Sequence, residues 1–486
     1  MQTPCDYQLA LADWQGRPTM EPTAWVPGLP LEMTVAAPAP ASNSLVVSSS
    51  GQQQLKLVEG SIDHEYAVEV FKQAAQSFKD KHDQMEMKIH LFPASMEDLA
   101  DKYAAPDVVS IGPYHHGRTP ALQQMESTKH VAAWHFIKDS GCSVEEIYGA
   151  VCEVADEARG HYDEDKVRDF GDDDFKPMMF YDACFLLQFI LHCSGGAVDP
   201  LLSSAFSSDD NGISRDIVLL ENQLPWVVVE TLMRFMPTPL DLVQFTGNVK
   251  ASLQARQQLE GIPVEWDSSY IPPHLLGLLR YYIVGSTHIS SKPLSEKAKT
   301  FSISVSAIEL AEIGIKITVT DATAELKEMR IKEACFSGQL LLAPLSLDYA
   351  NASFLVNMAA LELCTTPDFF EDEDGKKSTV CSYLCLLGMV TDSEQDVEEL
   401  RKKHILQGGA GLNDQEALDL FNGLEKDLRT GAHYLRIMLV IQNYRSNRPI
   451  RIMMYRFFYK NLKIIIAVLS AIAGLAGFLG TLKSLK

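Results

Sequence analysis

The chain has 486 residues, of which 46% are hydrophobic and 22% charged, proportions typical of a folded globular protein. They exclude wholesale disorder, collagen and a disulfide-dense miniprotein. Lys and Arg number 42 against 64 Asp and Glu, and the resulting net charge of −22 repels phosphate backbones, which argues against a nucleic-acid partner.

The first 59 residues read as a disordered leader. Pro18, Pro22, Pro27, Pro30, Pro38 and Pro40 break any helix, and 48–54 is polar and of low complexity. No basic, apolar signal-peptide pattern opens the chain. Residues 60–445 form the main domain, expected to be mainly α-helical. Val68, Phe71, Ala75 and Phe78 recur at helical spacing, and 122–138, 144–159, 176–193 and 216–235 show similar patterning. Between about 300 and 346 the period changes to alternation at 301–305, 315–319 and 329–331, with a short apolar run at 340–342. A small β-sheet set into the helical body is therefore expected. Helices resume at 349–363, 382–391, 395–406 and 414–445, the last with Asp414 as its N-cap. Nine cysteines without regular spacing read as reduced core thiols.

The C-terminal end is basic: from Arg445 onward there are eight Lys or Arg residues and no carboxylate. Residues 446–463 read as a basic juxtamembrane segment before an uncharged stretch of nineteen residues, 464–482. At ~1.5 Å per residue that stretch reaches roughly 28 Å, close to a hydrocarbon core of ~30 Å. The expectation is one C-terminal transmembrane helix with membrane lipid as its partner. The flanking charges put the N-terminal body on the cytoplasmic side, at a plasma membrane or endomembrane. Small residues at Ala473/Gly477 and Ala476/Gly480 predict close helix approach in a homodimer.

Candidate site residues fall in three strings. Gly112-Pro113-Tyr114-His115-His116-Gly117 is a constrained loop with two imidazoles, able in principle to ligate metal or exchange protons, or else to hydrogen-bond the helical core. Adjacent histidines do not readily share one metal, and no metal or cofactor is expected. Asp182 lies in an apolar helix, where a histidine or arginine is its expected partner. Glu221, Asn222 and Gln223 place polar groups in what reads as a further apolar helix, as a buried network or a ligand site. No phosphate-binding loop, dinucleotide turn, zinc-protease helix or nucleophile elbow is present, so no catalytic residue is assigned. Asn351-Ala-Ser353 is a glycosylation sequon.

The strings VVSIGPYHHG (108–117), YDACFLLQF (181–189), DIVLLENQLPWVVVE (216–230), SAIELAEIGIKI (306–317), GQLLLAPLSLD (338–348) and LFNGL (420–424) occur in one order. Together with the terminal apolar stretch they resemble the plant family catalogued as domain of unknown function 247, over roughly residues 61–482. The resemblance implies a mainly helical body, a C-terminal membrane helix and no established activity or cofactor. Some grass members are associated with pollen self-incompatibility. Gln188 stands where the family often has Glu, which weakens a catalytic reading of that block. The functional expectation is a membrane-anchored recognition or signalling protein with an unidentified protein partner. Two readings stand beside it, a hydrolase or transferase built on the His115/His116 loop with Asp182 and Glu221, and a plain membrane tether.

Overall fold

The computed structural model describes residues 68–76, 84–254, 264–285, 305–320, 325–333, 337–369, 376–408 and 411–484. The chain divides into two units, Met1–Ser77 and Phe78–Lys486. In the first unit the described residues form a helix over 68–76, as its spacing predicts. The apolar stripe is exposed there, with Phe71 at 71%. Phe78 and the leader 1–59 lie outside the described residues.

The second unit is built mainly from helices. Helix α1 (Glu97–Tyr103) precedes the long α2 (Pro120–Ser140) and α3 (Val144–Gly160). The short α4 (Glu164–Val167) leads to α5 (Asp172–Cys193), then α6 (Pro200–Ser208), α7 (Asp210–Asp216) and α8 (Trp226–Met233). Helices α9 (Leu242–Leu253), α10 (Leu275–Val284) and α11 (Ala307–Glu312) complete the first half. Local chemistry sets these ends. Thr119 caps α2 with Pro120 at its first position, and Gly141 closes it in the left-handed region, at φ 71°. From Met178 to Ile190, α5 buries every side chain except that of Tyr181, so it runs through the core rather than along it.

The expected sheet is present and small. Strands β1 (Ile315–Val319), β2 (Arg330–Glu333) and β3 (Gly338–Leu342) pair in the order β1-β3-β2. β1 runs parallel to β3, with Ile315 opposite Gly338, and β2 runs antiparallel to it. Of the alternating run 301–305, only Val305 is among the described residues, and it precedes α11. A second, two-stranded sheet pairs β4 (Leu345–Ser346) with β5 (Leu406–Gln407). Between them lie α12 (Tyr349–Thr365), α13 (Thr379–Val390) and α14 (Glu394–Lys402).

Helices α15 (Asp414–Asp427), α16 (Ala432–Asn447) and α17 (Pro449–Ser484) end the chain. The single helix expected over 414–445 is thus two. Gly431 sits at the break, where a Cβ would come within 2.3 Å of the Ser382 hydroxyl. The cap is also one residue earlier than expected. Asn413 accepts the N–H of Glu416 at 2.9 Å and Glu416 accepts that of Asn413 at 2.8 Å, a capping box. Asp414 instead binds Arg401 at 2.6 Å.

The expected transmembrane helix is not supported, and the fold class is corrected to mainly helical with two small sheets. Among the described residues no helix is long and apolar enough to cross a membrane. The base of α17 is tied to the body by charge. Arg448 reaches Glu333 at 2.8 Å and Arg456 lies 3.4 Å from Glu312, so two of the basic residues expected to face lipid face carboxylates of this unit.

Candidate functional site

The segment 107–117 is not helical, so its backbone N–H groups need partners from elsewhere. Side chains of other elements supply them. Asp216, the last residue of α7, accepts the N–H groups of Asp107 (3.0 Å), Val108 (2.6 Å) and Val109 (2.9 Å) on one carboxylate oxygen. Its other oxygen faces Arg215 Nη1 at 3.1 Å. Burial raises this carboxyl to about 6, against the N–H groups and Arg215, which hold it down. Asn222 continues the clamp. Its Oδ1 accepts the N–H of Ile111 at 2.6 Å, and its Nδ2 donates to the carbonyls of Val109 and Asp216, each at 2.9 Å.

Asp182 takes the next N–H, that of Gly112, at 2.8 Å. Its partner is neither a histidine nor an arginine but Lys129, 2.6 Å away and fully buried. The ammonium also donates to Glu126 and to the carbonyl of Ser110, each at 2.6 Å. Burial disfavours the charged lysine, but Asp182 and Glu126 more than offset this and raise it above its ordinary value. Gly112 is required at its position. Its φ is +75°, and a Cβ would lie 2.7 Å from the Gln223 carbonyl and 2.8 Å from the Tyr162 hydroxyl. Gly112→Ala is expected to destabilise the fold by about 2–4 kcal/mol, the left-handed strain added to the overpacking. Urea unfolding measures this, and a loss under about 1 kcal/mol would contradict the packing.

Pro113 has no N–H to satisfy, and its carbonyl accepts that of His116 at 3.4 Å. Tyr114 donates to the Ile89 carbonyl at 2.9 Å and accepts the N–H of Asp163 at 2.7 Å. His115 is buried between two charged groups. Arg118 Nη1 lies 3.2 Å from its Nδ1, and a guanidinium can only donate, so Nε2 carries the imidazole proton. That proton points at Glu221 Oε2, 2.9 Å away, while Glu221 Oε1 accepts the N–H of Phe92 at 2.8 Å. Burial pulls the Glu221 carboxyl up, but His115, the Phe92 N–H and Arg118 more than compensate and leave it below its ordinary value. His116 turns away, edge-on to Phe170 with ring centroids 6.4 Å apart, so the two imidazoles do not converge on one ion. Gly117 is exposed and makes a left-handed turn at φ 69°.

Residues 217–225 are not the helix expected across 216–235 but a turn between α7 and α8. Asn222 and Gln223 bind the carbonyls that would have propagated the helix, and Pro225 lacks the N–H to continue it. Gln223 Nε2 donates to Ile217 (2.7 Å) and Leu219 (2.8 Å), and its Oε1 accepts the N–H of Leu276 at 2.9 Å. The turn is also held by α12, where Asn357 accepts the N–H of Leu220 at 2.8 Å.

The structure therefore brings Gly112, Tyr114, His115, Asp182, Glu221, Asn222 and Gln223 into one constellation whose bonds run chiefly to backbone. His115–Glu221 and Lys129–Asp182 are separate pairs, and none of these four residues lines the grooves beside Arg215, Arg159 or Gln188. Lys129, Asp216 and Arg118 belong to the constellation and escaped the sequence reading. Lys129 had a signal, since it interrupts the apolar stripe of Met125, Ala132, Ala133 and Phe136 on α2. Cys381 and Cys385 are buried on α13. The sequon residue Asn351 is buried too, and its amide donates to Asp348 at 2.8 Å.

A family model described as a plant protein of unknown function, DUF247, matches residues 89–476. A UPF0481 protein of Arabidopsis thaliana is 27% identical over 362 residues, covering 69% of this chain and 72% of the relative. No solved structure matches. The family match takes in the whole constellation, from the Ile89 carbonyl that anchors Tyr114 to the Asn357 that holds the turn, and the chain belongs to the plant DUF247 family.

Proposed function

We propose that this protein is a recognition module that binds a basic partner protein through an acidic face formed by α3, α4 and the start of α5. One observation carries the reading. Asp156, Glu157, Asp163, Glu164, Asp173 and Asp174 are exposed there, and none has an ion-pair partner among the described residues. Arg159, Arg168 and Lys176 neutralise only Asp165 and Asp172. A face with an excess of one sign steers an oppositely charged partner and suppresses others. In its narrower form the reading is a component of pollen self-incompatibility, supported by the resemblance to grass relatives alone. A hydrolase or transferase built on His115, Asp182 and Glu221 has less support, because those groups bond to backbone and to one another.

The test is proximity labelling from the tagged full-length protein in plant cells, against a variant carrying Asp163→Asn, Glu164→Gln, Asp173→Asn and Asp174→Asn. Basic neighbours are expected to be lost from the variant while its circular dichroism stays that of the wild type. An unchanged set of neighbours would remove the acidic face from the account.

A further inference from the structure

The C-terminal part of α2, the buried helix α5, the 194–199 connection and residues 236–241 line a half-open cavity of about 620 Å³. That lies within the ~300–1,000 Å³ range of ligand sites. Its walls are apolar, from Phe136, Leu191, Val198, Met236, Pro237 and Pro239. One lining side chain is more than nine-tenths buried and has no hydrogen bond among the described residues, and a second pairs with a lining carboxylate. Gln188, 3% exposed, has an unpartnered carboxamide. His135, 8% exposed, has its Nε2 3.7 Å from Asp199 Oδ1, beyond hydrogen-bond reach. Buried polar groups are normally bonded, and the Gln188 carboxamide has only the cavity to bond into. Its remaining charge is acidic. Asp139, Asp199 and Asp241 line it, while the Lys138 ammonium lies over the Trp134 ring at 5.1 Å.

We propose that this cavity binds a peptide segment bearing a lysine or arginine. The Gln188 carboxamide offers one donor face and one acceptor, the complement of a single peptide unit, and apolar walls suit the flanking side chains. The carboxylates hold the cation. Asp199 and Asp241 cap α6 and α9 with one oxygen each, at 2.9 and 2.8 Å, and retain a second for a ligand. This inference rests on the recognition reading above and names where the partner's basic residue is held.

The probe is a fluorescein-labelled hexapeptide, Ala-Ala-Lys-Ala-Leu-Ala, titrated by anisotropy against the full-length protein, with a peptide carrying Glu for Lys as control. The lysine peptide is expected to bind and the glutamate peptide to bind at least about tenfold more weakly. Gln188→Leu is expected to weaken binding about tenfold, the effect of one buried hydrogen bond. Asp199→Asn with Asp241→Asn should weaken it about fivefold and flatten its salt dependence, with the helices intact because asparagine caps as well as aspartate. The acidic-face variant should bind the peptide like the wild type. No binding at millimolar peptide, equal binding of both peptides, or indifference to both cavity variants overturns the site. If labelled neighbours in cells still depend on the acidic face, only the cavity falls; if they depend on neither surface, the recognition reading falls with it.

Discussion

Replacing Lys129 by methionine is expected to lower the unfolding free energy by about 3–5 kcal/mol, the usual cost of stranding one partner of a buried ion pair. The geometry explains the size. The ammonium is fully buried, and its three donors are taken by Asp182, Glu126 and the Ser110 carbonyl. Methionine matches the stem and removes all three bonds. Asp182 then keeps only the Gly112 N–H, in a site where water cannot replace the cation. Adding Asp182→Asn should recover about 1–2 kcal/mol, since an asparagine oxygen still accepts that N–H and no charge is left buried. Urea unfolding of the two single variants and the double closes the cycle. A Lys129→Met loss below about 1 kcal/mol, or a double variant no better than the single, would mean that this pair does not hold the 107–117 segment.

The second large effect is acid sensitivity through His274. This residue caps α10, with its Nδ1 accepting the N–H of Gly277 at 3.2 Å, so the ring proton is on Nε2. Nε2 has no partner among the described residues. Burial, with His90 and His161 nearby, lowers this imidazole from 6.5 to about 3. The sign follows. The unfolded chain takes up the proton below about 6.5 while the folded chain refuses it, so stability is fully present above 6.5 and lost as pH falls. At pH 4.5 the loss through this residue is about 3 kcal/mol, from two pH units at ~1.4 kcal/mol each. Protonation would also set a second N–H against that of Gly277 and undo the cap. His274→Asn retains a capping oxygen and cannot titrate. Carboxylates shift stability in both proteins, so the quantity to measure is the wild type minus the variant from pH 7.5 to 4.5. That difference should fall by about 3 kcal/mol, and a flat difference would mean the imidazole is solvated.

The long helices and the three-stranded sheet were legible because each rests on a local period. Residues 120–140 and 144–160 bury one face at helical spacing, and 315–319 alternates at spacing two. The turn at 217–225 was misread because its residues are as apolar as a helix. What breaks the helix there is side-chain bonding from Asn222 and Gln223, with the 107–117 backbone and α12 as partners that lie more than a hundred residues away. Asp182 was legible as a buried polar group. Its cation was not, because a lysine on an amphipathic helix usually faces water. The terminal stretch shows the opposite limit. Its composition argued for a span, yet among the described residues no helix is long and apolar enough to cross a membrane.

By itself the sequence determined the helical class, the three strands of the larger sheet, the acidic surface and the family, because composition and short-range periodicity are properties of neighbouring residues. Tertiary structure alone decided which polar residues meet. Asp216, Asn222 and Asp182 lie far along the chain from the N–H groups they bind, and the donors of Val109, Ile111 and Gly112 went to whichever acceptors the packed helices brought within reach. The same packing left the Gln188 carboxamide facing a cavity with no partner among the described residues.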